Sequence, residues 1–245
     1  MLITSLDNLK VKKYVKLKNK KYRDIEKMYL VETNHLVEEA LNHQVLVDLL
    51  VLENEQVSYN FNYTYVTKEI MKKLSNLETI PKVIGVVKML EPSNNLGNSI
   101  LLLDDIQDPG NLGTIIRSSV AFNVDSIVMS LNTVDLYNPK VIRSTQGMIF
   151  KINLIKDDLG QVIEKLKSKN IPIYTTNVNG GENIKNINST DSYGLIMGNE
   201  GNGVKDEIST LADRKIYIPM NSKVESLNVS VAASILLYEL GDKNG

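Results

Sequence analysis

Residues 100–119 read ILLLDDIQDPGNLGTIIRSS, and the passage from Ile100-Leu101-Leu102-Leu103 into the segment DPGNLGTIIRSS (108–119) decides the fold class. Four consecutive apolar residues suit a strand buried on both faces, whereas Leu112 opens a helical spacing. The same junction recurs at IMGNEGNGV (196–204), after Leu195, and at IPMNSKVESLNVSVAAS (218–234). Each sets Gly, Asn, Ser or a charged side chain just beyond an apolar run. In a parallel α/β sheet that edge is where ligands bind.

Outward from these junctions, strands are expected at 100–103, 126–130, 151–155, 171–176, 193–198 and 215–218, and helices at 112–122, 139–145, 158–169 and 226–240. Such alternation requires crossover connections, hence an α/β fold with a mostly parallel sheet and helices on both faces. Upstream, EPSNNLGNS (91–99) gathers Pro, Gly, Ser and several Asn and reads as a linker. The expected organisation is a domain at 1–90, a linker at 91–98 and a second domain at 99–245. In the first, LVETNHLVEEALNH (30–43) carries Leu36, Val37, Ala40 and Leu41 at helical spacing. VLVDLLVLE (45–53), YTYVT (63–67) and PKVIGVVKM (81–89) read as strands, which makes this a small α/β unit.

A chain of 245 residues, 42% hydrophobic and 23% charged, can fill two modest cores. Without Cys it has no disulfide framework, thiolate nucleophile or Cys-based zinc site, and its two His, His35 and His43, lie far from the Gly-rich junctions. No metal is expected. The start MLITSLDNLK lacks a signal-peptide core, and no apolar run approaches the ~18 residues of a membrane span, so a cytoplasmic protein with no membrane partner is expected. The net charge of −1 conceals an asymmetry, because Lys10, Lys12, Lys13, Lys16, Lys18, Lys20, Lys21 and Arg23 stand near the start against Asp7 alone. With Tyr14 and Tyr22 interleaved, this cluster reads either as a surface that neutralises phosphates and stacks bases or as a solvated helix face.

At the first junction Asn111 suits the N-cap of a helix from Leu112, and Gly113 leaves room for a ligand at the first turn. Arg117 shares a face with Gly113 and Thr114, so it either points at a docked ligand or is an exposed helix cation. Gly198-Asn199-Glu200-Gly201-Asn202-Gly203 matches neither the dinucleotide fingerprint nor a phosphate loop. It serves a ligand approach or a tight turn. Ser226 is a natural N-cap for the final helix. Thr175, Thr176 and Asn177 end a strand near the same edge, and Arg143 in VIRSTQG (141–147) taken alone suits a structural ion pair.

Taken in order, Asn111-x-Gly113-x-x-x-Arg117, Gly198-x-Glu200-Gly201 and Ile218-Pro219-Met220 followed by Ser226-Leu227-Asn228-Val229-Ser230 resemble the motifs of the SpoU (TrmH-like) RNA 2'-O-ribose methyltransferases. The basic start, LVETNHLVEEAL and VIGVVKM resemble the small ribosomal-protein-like RNA-binding domain that precedes the catalytic domain in many of them, with Thr33 where the family has Gly. Ser222 likewise replaces a usual Gly. The resemblance implies a SPOUT fold with a deep trefoil knot and S-adenosylmethionine as cofactor. It implies catalytic roles for Arg117, Asn111, Glu200, Ser226 and Asn228, and a cofactor site at Gly198, Ile218 and Leu227, with Thr176 lining it. It further implies a homodimer acting on RNA, ribosomal RNA ahead of transfer RNA, held by Lys18, Lys20, Lys21, Arg23 and Arg143. A non-catalytic RNA-binding or ribosome-assembly protein that keeps the fold is the alternative. Because a guanidinium holds its proton in almost any setting, pairing of Arg117 with phosphate and developing alkoxide is preferred to a literal Arg base, which the family proposal leaves open.

Overall fold

The computed structural model describes residues 2–177 and 180–241. Two compact units emerge, Met1–Glu91 together with Asp135–Phe150, and Pro92–Val134 together with Lys151–Gly245. The first unit runs β1 (Leu2–Ile3), α1 (Leu9–Lys16), α2 (Lys20–Glu26), β2 (Met28–Val31), α3 (Asn34–Asn42), β3 (Leu46–Leu52), β4 (Thr64–Val66), α4 (Lys68–Leu74) and β5 (Val83–Lys88). The strands form one sheet in the order β1-β4-β3-β5-β2.

Asn8 and Asn19 cap α1 and α2 by accepting from the N–H of Lys10 and Lys21, so the basic segment consists of two short helices. Val11, Tyr14 and Leu17 turn inward against Leu50, Val66, Ile70, Met71 and Leu74. Each such side chain, fully buried, contributes about 1.5–3 kcal/mol. On α3, Leu36, Val37 and Ala40 are buried, and Gly85 of β5 is needed there: a Cβ would sit 2.9 Å from Val31 Cγ2 and 3.2 Å from Val37 Cγ2. The helical spacing of Leu36, Val37, Ala40 and Leu41 falls within α3, which begins after Leu30 and Val31 have paired with β5 and is capped by Thr33, whose Oγ1 accepts from Leu36 N–H at 3.2 Å.

The second unit runs β6 (Ser99–Leu103), α5 (Pro109–Ala121) and β7 (Ser126–Met129); after α6 (Pro139–Thr145) it continues with β8 (Asn153–Lys156), α7 (Leu159–Ser168), β9 (Ile173–Thr176), β10 (Glu182–Asn183), β11 (Tyr193–Met197), α8 (Asp206–Ser209), β12 (Arg214–Tyr217) and α9 (Val229–Leu240). Its sheet has the order β10-β12-β9-β11-β6-β7-β8, with every pairing parallel. The central strands β6 and β11 are buried along their whole length, which is why they read as unbroken apolar runs. Ile100 and Leu102 face α7, while α5 and α9 pack together with α9 against β11.

Residues 135–150, within the stretch expected as the second domain, group by their contacts with the first unit. Tyr137 rests on Tyr29 with ring centroids 4.8 Å apart, Phe150 stacks on His43 at 5.7 Å, and His35 Nε2 meets Gln146 O at 3.1 Å. Two helix starts are corrected. Asp108, not Asn111, caps α5, with Pro109 at the first turn, because Pro there forfeits no hydrogen bond. Asn228, not Ser226, caps α9.

Candidate active site

The strands β12, β9, β11 and β6 are neighbours in the sheet, so the loops leaving their C-terminal ends converge. Between them lies a cavity of about 630 Å³, lined by Thr176 and Asn177 after β9, by 197–204 after β11, by 215–218 with Met220 around the end of β12, and by 226–229 at the start of α9. Thus Thr176, Gly198, Glu200, Ile218, Ser226, Leu227 and Asn228 all face one space, although they come from four separate stretches of the chain.

Gly198 is required by closure of its own loop. A Cβ there would lie 2.1 Å from both Gly203 C and Val204 N. Asn199 and Gly203 exchange two backbone hydrogen bonds of 2.9 Å, with Gly203 at φ +70°, and Asn199 Oδ1 accepts from Gly201 N–H at 2.9 Å. The loop therefore folds on itself and projects Glu200.

Glu200 is the acceptor at the end of an ordered chain. Its Oε1 accepts from Asn111 Nδ2 at 3.0 Å and Asp108 N–H at 3.3 Å, and Oε2 accepts from Gln107 N–H at 3.3 Å. Asn111 Oδ1 accepts in turn from Asn228 Nδ2 at 3.0 Å, while Asn228 Oδ1 caps α9 through Ser230 N–H at 2.9 Å. Since an ionised carboxylate can only accept and a helix start can only donate, the orientation of both amides is fixed. Partial burial works to raise the Glu200 pKa, but Asn111 and the N–H groups of Glu200 itself, Gln107 and Asp108 hold it below the ordinary carboxylate value.

Arg117 is exposed on α5 and makes no hydrogen bond or ion pair among the described residues. Ser226 is exposed and lines the cavity without capping α9. Arg143 lies half-buried on α6 in the first unit, its Nη1 without a hydrogen-bond partner among the described residues.

The basic cluster divides. Arg23 is withdrawn as an RNA ligand: it is 5% exposed, donates to Leu17 O at 2.9 Å and Lys18 O at 3.0 Å, and pairs with Asp135. Lys18 donates to Ser75 O at 2.8 Å, and Lys20 pairs with Asp24 four residues on. Lys21 is exposed without a partner among the described residues, and Lys16 sits 5.5 Å above the Tyr22 ring. Tyr14 is buried with its hydroxyl on Asp48, so it offers no ring for stacking. Burial, with that bond, pushes its hydroxyl pKa well up.

Sequence reasoning passed over Asp104, Asp105 and Lys205. Lys205 Nζ lies 2.7 Å from Asp105 Oδ2 and 3.6 Å from Asp104 Oδ1, which raises the amine's pKa. Partial burial opposes ionisation of Asp105, yet Lys205, Ser130 and Asn132 outweigh it and keep its carboxyl below the ordinary value. Two adjacent acids directly after a buried strand were the available signal. Among the described residues no group of His, Cys, Asp and Glu is arranged to hold a metal ion.

A parallel α/β sheet with a self-closed Gly loop and an Asn-Asn-Glu chain at one edge defines a class. Residues 98–238 match the SpoU rRNA Methylase family, and the chain belongs to it. Residues 8–85 match an MRM3-like substrate binding domain. The chain is 35% identical over 243 residues to the 23S rRNA (guanosine(2553)-2'-O)-methyltransferase RlmP of Bacillus subtilis (strain 168), the match covering 97% of this chain and 98% of that one. Among solved structures it is similar to an RNA 2'-O ribose methyltransferase, with 28% identity, TM-score 0.84 and 98% of both chains covered. It is also similar to an AdoMet-bound rRNA methyltransferase from Sinorhizobium meliloti, with 26% identity, TM-score 0.85, and 98% and 97% of the two chains covered.

Proposed function

We propose that this chain transfers the methyl group of S-adenosylmethionine to a ribose 2'-hydroxyl of 23S ribosomal RNA, with a guanosine equivalent to that of the Bacillus relative as the first candidate target. The observation that carries the reading is the ordered Glu200-Asn111-Asn228 chain at the mouth of a cavity shaped by Gly198. The lining suits the cofactor: Ile218, Met220, Leu227 and Leu236 offer apolar surface, and the Gly198–Gly203 turn allows close approach to backbone.

When bound, the sulfonium cofactor supplies an activated methyl group, so the protein needs neither nucleophile nor metal of its own. Its residues align and stabilise. The ribose oxygen must reach the methyl in line while its proton departs. Arg117 binds the adjoining phosphate and offers N–H donors to the oxygen as negative charge develops, and the proton passes to a phosphate oxygen or water. Asn111 is held by Glu200 and Asn228 at the start of the helix that carries Arg117, which keeps that helix registered against the cofactor loops.

The same reading includes a homodimer packed through α9, for which Val231 at 48% and Tyr238 at 55% exposure provide an uncovered apolar face. It includes a trefoil knot, supported by β9 lying between β11 and β12, and a cytoplasmic location, in keeping with the absence of any membrane-spanning helix among the described residues. The test is methyl transfer from labelled S-adenosylmethionine to 23S rRNA from cells lacking the gene, with the modified ribose mapped by reverse transcription. Cofactor binding without ribose methylation of any RNA would instead establish the non-catalytic alternative.

A further inference from the structure

The loop that presents Glu200 is tied at both ends to the same two acids. At its start Asn199 Nδ2 donates to Asp105 O at 2.8 Å. At its end Lys205 N–H donates to Asp104 Oδ2 at 2.8 Å, and its amine pairs with Asp105 at 2.7 Å. Asp104 is 1% exposed and follows β6 directly. Asp105 has φ +55°. The other described non-glycine residues of this unit with positive φ, Asn123 and Asn170, each follow the C-cap of a helix, where that conformation is common. Asp105 follows a strand, and although Asp tolerates this conformation better than most side chains, here its own contacts fix it. Ser130 Oγ accepts from its N–H at 2.9 Å and donates to its Oδ1 at 2.6 Å, while Lys205 holds Oδ2.

From this geometry we propose that Lys205 is a positioning residue: it clamps residues 199–204 onto Asp104 and Asp105, so that Glu200 meets Asn111 and the N–H groups of Gln107 and Asp108. Its consequence for catalysis rests on the methyl-transfer reading above. Glu200 receives two backbone bonds at 3.3 Å, near the long end of the hydrogen-bond range, so a small drift of the loop breaks them. A purely structural role, as counter-ion to buried Asp104, makes different predictions.

The test uses the full chain. Lys205→Met should accelerate amide hydrogen exchange at Gln107 and Asp108 and lower single-turnover methyl transfer, each on the order of tenfold, the scale of a modest misplacement of a catalytic group. Lys205→Arg should recover most of both. Adding Lys205→Met to Glu200→Gln should slow the reaction no further than Glu200→Gln alone, since both act through one contact. Asp104→Asn with Lys205→Met removes the buried charge along with its partner, and should restore thermal stability without restoring rate. Unchanged amide protection in Lys205→Met, multiplicative loss in the Glu200 double variant, or recovery of rate in the Asp104 double variant would each overturn the proposal. Loosened amides in a chain whose wild type methylates no RNA would support the clamp and sink the methyl-transfer reading instead.

Discussion

Replacing Arg117 with Ala should leave fold and cofactor affinity intact and slow methyl transfer at least a hundredfold. Among the described residues Arg117 has no hydrogen-bond or ion-pair partner, so its removal strands no polar group. Ala is the better helix former, and an exposed change of this kind shifts stability by no more than about 0.5 kcal/mol. The cavity lining does not include Arg117, so the cofactor dissociation constant should stay put. On the proposed mechanism what is lost is a donor to charge that develops in the transition state, an effect of about 10²–10³ in rate, or roughly 2.7–4 kcal/mol. Arg117→Lys keeps the charge without the planar fork and should recover only part of the rate. The assay is single-turnover methyl transfer at saturating cofactor and RNA, with calorimetry of cofactor binding and thermal melts alongside. Near-normal turnover in the Ala variant would remove Arg117 from the mechanism, and a parallel fall in melting temperature or cofactor affinity would return it to a structural role.

Arg23→Ala should cost about 3–5 kcal/mol in thermal or denaturant unfolding, since it leaves Asp135 and two carbonyls without their buried cation; a loss below about 1 kcal/mol would contradict that assignment. Lys21→Ala should reduce the log-log salt slope of RNA binding by about 0.7–0.9, one phosphate contact, whereas Lys18→Ala, whose amine already serves Ser75 O, should leave the slope unchanged. Deleting residues 1–91 alone should yield an aggregating protein, because Val141, Ile142, Ile149 and Phe150 lose what buries them; replacing 135–150 as well with a Gly-Ser linker should give a soluble chain that binds cofactor, as light scattering and calorimetry would report. The hydrogen bonds that lower the Glu200 pKa stabilise the folded chain fully above its ordinary value of 4.5, and that stability is lost as pH falls through the lower folded value. Glu200→Gln should therefore flatten the acid limb of a stability profile below that ordinary value, and an unaltered limb would deny the carboxylate its partners.

The strands nearest the site were legible because they are buried on both faces. Ile100–Leu103 and Leu195–Met197 carry no polar interruption, so the apolar run and the strand nearly coincide. Helix starts were less legible, since Asp108, Asn111, Ser226 and Asn228 are all competent caps and only the backbone chooses among them. The helix α4 escaped notice because Lys68, Glu69, Lys72 and Lys73 crowd its seven residues, leaving Ile70, Met71 and Leu74 as a brief inward stripe. Placement of 135–150 was invisible for another reason: Tyr137 on Tyr29 and Phe150 on His43 are tertiary contacts with no local signature. The same applies to Lys205, which finds Asp104 from 101 positions away.

The cations also show why charge along a sequence predicts partners poorly until pairing is known. In the basic start, Lys10 binds Asp48, Lys12 binds Asp7, Lys13 binds Glu26, Lys20 binds Asp24, and Arg23 is consumed by Asp135 and two carbonyls. Exposed pairs of this kind hold their partners weakly, at about 0–1 kcal/mol, so an RNA phosphate can compete for Lys12 or Lys20, but not for Arg23 behind its buried contacts. Arg117 stands at the opposite extreme, exposed and without a hydrogen-bond or ion-pair partner among the described residues, on the same helix whose first turn carries Asn111. On the proposed mechanism the partner of that guanidinium arrives with the substrate, since a phosphate beside a ribose hydroxyl fits both its charge and its planar fork.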